Sequence, residues 1–227
     1  MFYWDWTYLL MIPGLLLGIW AQARVSSAYS KYSQTPSARG VSAAQAAQTL
    51  LRQNGNTRVS VERVGGTLSD HYDPRSETLR LSEGVFGSSS LAALGIAAHE
   101  AGHAMQKFEG YGPMKLRTAI VPVVQIGSQA YFPLFLLGII FSWQPLVTLG
   151  IIAFSLSLIF ALVTLPVEFD ASRRGIQMLL AGGFITAGEE AGVRKVLSAA
   201  AMTYVAAAVT SLLQLLRLIL ISRRNDR

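Results

Sequence analysis

AIVPVVQIGSQAYFPLFLLGIIF (119–141) and PLVTLGIIAFSLSLIFALVTL (145–165), separated only by Ser142-Trp143-Gln144, decide how this chain folds. Neither stretch contains Lys, Arg, Asp or Glu. As a helix, each is long enough to cross a hydrocarbon layer of ~30 Å. Backbone in lipid must satisfy its own hydrogen bonds, so the pair reads as a helical hairpin that returns the chain to the side of the membrane it left. The segments before residue 118 and after residue 165 are thereby brought to one face.

Composition agrees with a bilayer. The 227 residues are 52% hydrophobic and only 14% charged, against roughly a quarter charged in soluble domains. The length suits one functional unit. The net charge of +6 comes without a dense basic run or interleaved aromatics, so nucleic acid is not an expected partner, whereas membrane lipid is. With no cysteine, disulfides are excluded, and a metal site has only His and carboxylates to draw on. Histidines number three: His71, His99 and His103.

Towards the N-terminus, the apolar run from Trp6 to Ala21, with Trp4, Trp6 and Trp20 near its ends, reads as a first span, giving an anchor over 1–23. Ala21-Gln22-Ala23 resembles a signal cleavage site, but no basic residue precedes the run, so retention as an anchor is expected. A region over 24–117 comes next, expected to be α+β and cytoplasmic. It opens with a loose Ser/Ala/Tyr/Gln linker from Arg24 to Gly40. Beyond the linker lie a helix over Ser42–Gln53 and strands over Arg58–Val64 and Thr78–Leu81, with 69–74 between the strands as an edge strand running into a turn. Ser88, Ser89 and Ser90 offer an N-cap for a helix reaching Phe108, with Gly110 as its stop.

After the hairpin (118–165), Pro166 suits the first turn of a new interfacial helix that Gly182-Gly183 ends; this helix and its connection occupy 166–195. Thr186 with Glu189 forms a capping-box pattern opening the next helix. Its apolar part, 196–227 with the basic tail, is a candidate fourth span. Gln214 and Arg217 interrupt it, however, and Arg223, Arg224 and Arg227 would land on the unfavoured side. The expected fold is therefore mainly α with a small α+β part and three or four transmembrane helices. Arg24, Lys31, Lys107, Lys115, Arg117, Arg173, Arg174, Arg194 and Lys195 would share one side, which makes that side cytoplasmic.

The chemistry lies in His99-Glu100-Ala101-Gly102-His103. Histidines at i and i+4 present both imidazoles from one helix face, and the glutamate beside the first can take a proton from water and deliver it to a leaving amine. About 0.001 chance matches to such a pattern are expected in this composition. Catalytic zinc needs a third protein ligand, and carboxylates are the main candidates. Glu168 is the best placed, because the hairpin brings it back to the face of His99 and His103; the bland alternative is a helix-start carboxylate favoured by the dipole. Ser172, one turn on, can hydrogen-bond a ligand imidazole, while Asp170 faces away from Glu168 and is expected to support the site indirectly.

Taken together, LSDHYDP (68–74), LRLS (79–82), HEAGHA (99–104) and LPVEFDASRR (165–174) resemble the YugP-type family of bacterial neutral zinc metallopeptidases over essentially the whole chain. More distantly the arrangement is similar to the HtpX and CAAX prenyl protease families, which place a membrane hairpin between zinc helix and glutamate ligand. The resemblance implies Zn2+ as cofactor, His99, His103 and Glu168 as its ligands, and a gluzincin-type fold. It also implies an edge strand at 69–74 for an extended substrate, with His71 or Tyr72 as an oxyanion donor; the plainer alternative is that Asp70, His71 and Asp73 shape a turn. Those distant relatives have Asp where this chain has Ser172, so a carboxylate does not carry over there.

The expected activity is zinc-dependent endopeptidase action on protein or peptide substrates, including membrane proteins, with Glu100 as general base. Two rivals are a catalytically inactive zinc-binding membrane protein and a membrane scaffold or transporter subunit using Gln125, Gln129 and Gln144. Intact Glu100 argues against the first, and the near absence of intramembrane charge against the second. Oligomeric state is left open.

Overall fold

The computed structural model describes residues 5–225. Trp4 and Arg227 lie outside them. After a 3-10 turn (Trp6–Met11) come α1 (Ile12–Ser33), α2 (Ala43–Gln53), β1 (Ser60–Val64), β2 (His71–Asp73), β3 (Thr78–Ser82), short α3 (Glu83–Phe86), α4 (Leu91–Phe108), α5 (Gly112–Ile140), α6 (Gln144–Ala181) and α7 (Ala187–Asn225). They form two compact units. Of the described residues, one takes in those up to Ala21, Leu116–Leu165 and those from Thr203; the other is Gln22–Lys115 with Pro166–Met202.

The first unit is helical and apolar. Among the described residues four helices, Trp6–Ser33, Gly112–Ile140, Gln144–Ala181 and Ala187–Arg223, are long and apolar enough to cross a membrane. The C-terminal helix thus qualifies despite Arg217, whose guanidinium is engaged. It lies 3.5 Å from Asp5 Oδ2, donates to Thr7 Oγ1 at 3.2 Å and sits 3.9 Å from the Tyr8 ring centroid. A cation in apolar surroundings is tolerated when paired in this way. The α5–α6 hairpin closes tightly on small residues: a Cβ at Gly138 would lie 2.6 Å from the Val147 nitrogen, and one at Gly150 2.8 Å from that of Phe135.

Two expectations are corrected. Arg24–Ser33 is not a linker but the second half of α1. Extending a helix already nucleated by an apolar span is cheap, so even this Ser- and Tyr-rich stretch continues it; Tyr32 also packs on the core of the second unit. Likewise Pro166 does not start a helix, because α6 runs unbroken from Gln144 to Ala181. An interior proline forfeits one hydrogen bond and costs ~3 kcal/mol, whereas a break would leave up to four carbonyls and four amides without partners. At 38 residues α6 is about 57 Å long, so a large part of it extends beyond a ~30 Å core.

The second unit is built around α4. Its sheet has the order β1-β3-β2, with β1 parallel and β2 antiparallel to β3. Central β3 is buried on both faces, at Thr78, Leu79, Leu81 and Ser82, while β2 forms an edge. Leu50, Leu51, Leu79, Leu94 and Leu179 anchor one core shared by α2, the sheet, α4 and α6. Local chemistry sets the ends of the elements. Ser42 and Ser90 cap α2 and α4 by accepting from Gln45 N and Ala93 N, and Gly110 and Gly183 take left-handed φ of 71° and 64° just past α4 and α6.

Candidate metal centre

α4 and α6 cross on glycine. A Cβ at Gly102 would lie 2.4 Å from the Ala171 carbonyl oxygen, and one at Gly175 2.7 Å from that of Ala98. Each helix thus lays bare backbone against the other, closer than any side chain permits. One turn from this crossing, the histidines of α4 meet the carboxylate of α6. Glu168 Oε2 stands 3.3 Å from His99 Nε2 and 3.6 Å from His103 Nε2. The two rings meet edge-on, with centroids 4.6 Å apart.

Among the described residues, His99, His103 and Glu168 form a group able to hold a metal ion, with one ligand atom from each all within 4.8 Å of one another. Tetrahedral zinc with bonds of ~2.0–2.1 Å spaces its ligand atoms about 3.3–3.4 Å apart, so the two carboxylate–imidazole distances fit. Two nitrogens and one oxygen are also the donor set of a catalytic site that keeps a position open. Glu168 is 2% exposed and His103 8%, which leaves access on the His99 side.

The far ring nitrogens are held as well. His99 Nδ1 lies 3.0 Å from Ser172 Oγ, and His103 Nδ1 lies 3.0 Å from Gln106 Oε1. Asp170 touches neither imidazole in these contacts; it accepts from Gln106 Nε2 at 2.9 Å, and also from Arg173 and Arg174. Arg174 continues to Glu109 and lies 5.6 Å from the Tyr111 ring centroid. Burial works against a proton on His103, but hydrogen bonding to Glu168 and the nearby charges of Glu100 and Glu168 outweigh it, so its proton affinity is raised.

Glu100 and the edge strand come together through the backbone. Tyr72 N–H donates to Glu100 Oε2 at 2.9 Å. The Tyr72 side chain belongs to the core rather than to the surface. Burial, and then the charges of Glu77 and Asp73, push its phenol up to about 12, so it stays protonated. His71 is exposed, with Nδ1 2.8 Å from the Ser69 carbonyl. Around them Asp70 accepts from Ser82 N and Oγ, and Asp73 from Arg75 N, Ser76 Oγ and Arg80. These contacts hold the Asp73 carboxyl well below the usual carboxylate range. Lys107 ties the following turn to α4 through Pro74 O and Glu77.

Sequence reasoning missed Gln106 and the amide of Tyr72. Gln106 had a signal, since it lies three residues from His103 on the same helix face, within hydrogen-bond reach of its ring. The amide had none.

A family model described as "Putative neutral zinc metallopeptidase" matches residues 7–223. A protein of Bacillus subtilis (strain 168), "Putative membrane protease YugP", is 49% identical over 212 residues, covering 93% of this chain and 94% of that protein. No solved structure matches. With a donor trio suited to zinc, four helices fit to span a bilayer and a match that runs nearly end to end, the chain belongs to the neutral zinc metallopeptidase family.

Proposed function

We propose that this membrane metallopeptidase is an endopeptidase in which His99, His103 and Glu168 bind zinc and Glu100 is the general base. The observation that carries the reading is the convergence of Glu168 Oε2 on both histidine Nε2 atoms, at 3.3 and 3.6 Å, beside a carboxylate already oriented by Tyr72 N–H. Zinc bound there supplies Lewis acidity that makes water a nucleophile near neutral pH. Glu100, which the edge strand holds through one oxygen before substrate arrives, takes the proton from the attacking water. It hands that proton to the amine as the C–N bond breaks.

An intact base distinguishes this reading from a purely structural zinc site, where Glu100 has no task. The edge strand β2 presents Tyr72 N–H away from β3, which supports an extended peptide pairing alongside. Of the two oxyanion candidates, the Tyr72 ring packs in the core, while the His71 ring is exposed. With Nδ1–H donating to Ser69 O, His71 offers a donor at Nε2 only when protonated. The shared side of the basic residues flanking the spans supports a cytoplasmic active site. Substrates are unstructured segments of proteins, membrane proteins among them.

The test is Glu100→Gln in detergent-purified protein. Zinc stoichiometry is expected to persist, and cleavage of an unstructured protein to fall by about 10³-fold or more. A variant that binds zinc and cleaves at the wild-type rate would remove Glu100 from the mechanism.

A further inference from the structure

Gln106 is fully buried in α4, at 0% exposure. A carboxamide can turn either end towards an imidazole, but the surroundings of this one leave a single choice. Its Nε2 lies 2.8 Å from the Val167 carbonyl oxygen and 2.9 Å from Asp170 Oδ2. A backbone carbonyl and a carboxylate can only accept, so both amide hydrogens are committed to α6. Asp170 is bracketed by donors, Gln106 on one side and Arg173 and Arg174 on the other. Nothing around it calls for a hydrogen of its own. Oε1 is what remains to face His103 Nδ1, at 3.0 Å.

An oxygen without hydrogen requires its partner to donate. His103 Nδ1 therefore carries the hydrogen, and in the neutral ring the lone pair lies on Nε2, the nitrogen 3.6 Å from Glu168. His99 is held differently. Its partner Ser172 is a hydroxyl, which donates or accepts with equal ease and imposes no direction. The two ligand imidazoles are thus unequal: one has its tautomer fixed by the fold and the other does not.

We infer that Gln106 is a positioning residue of the metal centre, fixing the Nδ1–H tautomer of His103 so that Nε2 faces the metal, with its own orientation dictated by Val167 and Asp170 of α6. The inference rests on the proposed zinc site for the identity of the ligand, but the tautomer exists with or without metal. It also gives Asp170 a task that a position facing away from Glu168 would not suggest. That carboxylate sets the direction of the amide, and the amide sets the direction of the ring.

Two variants separate orientation from mere helix-tying. Gln106→Met is close in shape but has no acceptor for Nδ1–H; its zinc affinity, measured by chelator competition, is expected to fall 10- to 100-fold. Gln106→Glu keeps an acceptor towards His103 while setting a carboxylate against Asp170 and the Val167 carbonyl. It is expected to melt lower than Gln106→Met without metal, yet to bind zinc more tightly than that variant. A tie between helices predicts Gln106→Glu to be the worse in both measurements, and that ordering would overturn the proposal. A second reading needs no variant. With ring 15N labels on only three histidines, NMR of the wild-type protein is expected to show His103 Nδ1 bearing hydrogen both with and without zinc. A hydrogen-free Nδ1 in either state defeats the inference. Wild-type protein that takes up no zinc while His103 keeps its Nδ1–H would instead overturn the metallopeptidase reading and uphold this one.

Discussion

Gly102→Ala is the sharpest perturbation of the site that leaves every polar group in place. The added Cβ would meet Ala171 at 2.4 Å from O, 3.0 Å from C and 3.1 Å from Cα. All three are backbone atoms of α6, so no side chain can swing aside. Restoring ordinary contact, which begins at 3.4 Å, asks α4 and α6 to part by about 1 Å, in the range where overpacking costs ~1–3 kcal/mol. Alanine returns ~1 kcal/mol through helix propensity, so the metal-free fold should lose no more than about 2 kcal/mol. The metal centre is less forgiving. Glu168 lies one turn from Ala171 and His103 is the next residue after Gly102, so the parting widens the 3.3 and 3.6 Å gaps directly. Misplacement by ~1 Å is worth about 10² in a preorganised site, and a loss of that size is expected in zinc affinity by chelator competition. Gly112→Ala, whose Cβ would meet nothing within 4 Å, is the control. Zinc affinity of Gly102→Ala within about threefold of wild type would show that the glycine crossing does not set ligand spacing.

Three further outcomes are expected. Glu168→Ala should cost zinc affinity by ~10²-fold or more, and Asp170→Ala by about tenfold or less, in the same competition assay; equal losses would refute the assignment of ligand and support. Because the proton affinity of His103 is raised in the fold, its contribution to metal-free stability is full below the unfolded-state pKa and is lost as pH rises through the higher folded value. Zinc competes with that proton, so zinc affinity should instead rise with pH, and melting curves of metal-free and zinc-loaded protein across pH 5 to 9 should diverge. Finally, Asp5→Ala should lower thermal stability more than Asp5→Ala combined with Arg217→Leu, since the single change removes the carboxylate paired with a cation among apolar helices.

How much of the molecule was legible along the chain depended on range. The zinc helix could be read because its cap at Ser90, its stop at Gly110 and its two histidines all lie within one local segment. The position of Glu168 beside the two histidines could be read because a span-turn-span pattern has one physical solution in lipid. Arg24–Ser33 and Pro166 misled for a common reason: local composition was weighed without the neighbouring span, whose helix had already met the cost of nucleation. The link from Tyr72 N–H to Glu100 and the choice made by the Gln106 amide depend on which atoms α6 and the sheet bring to α4. No pattern along the chain encodes such a meeting.

The contact between Tyr72 N–H and Glu100 Oε2 has a further bearing on turnover. That N–H points off the free edge of β2, the edge along which an extended peptide would pair in the proposed function. One hydrogen serves one good partner, so an arriving chain and the resting base bid for the same donor. In the proposed function, the contact would hold Glu100 at the rim until a peptide takes that hydrogen. On that reading, a peptide settling there would release the carboxylate to act as the base. Readiness of the base would then be a property of the loaded cleft, which restrains idle proton traffic when no chain is present.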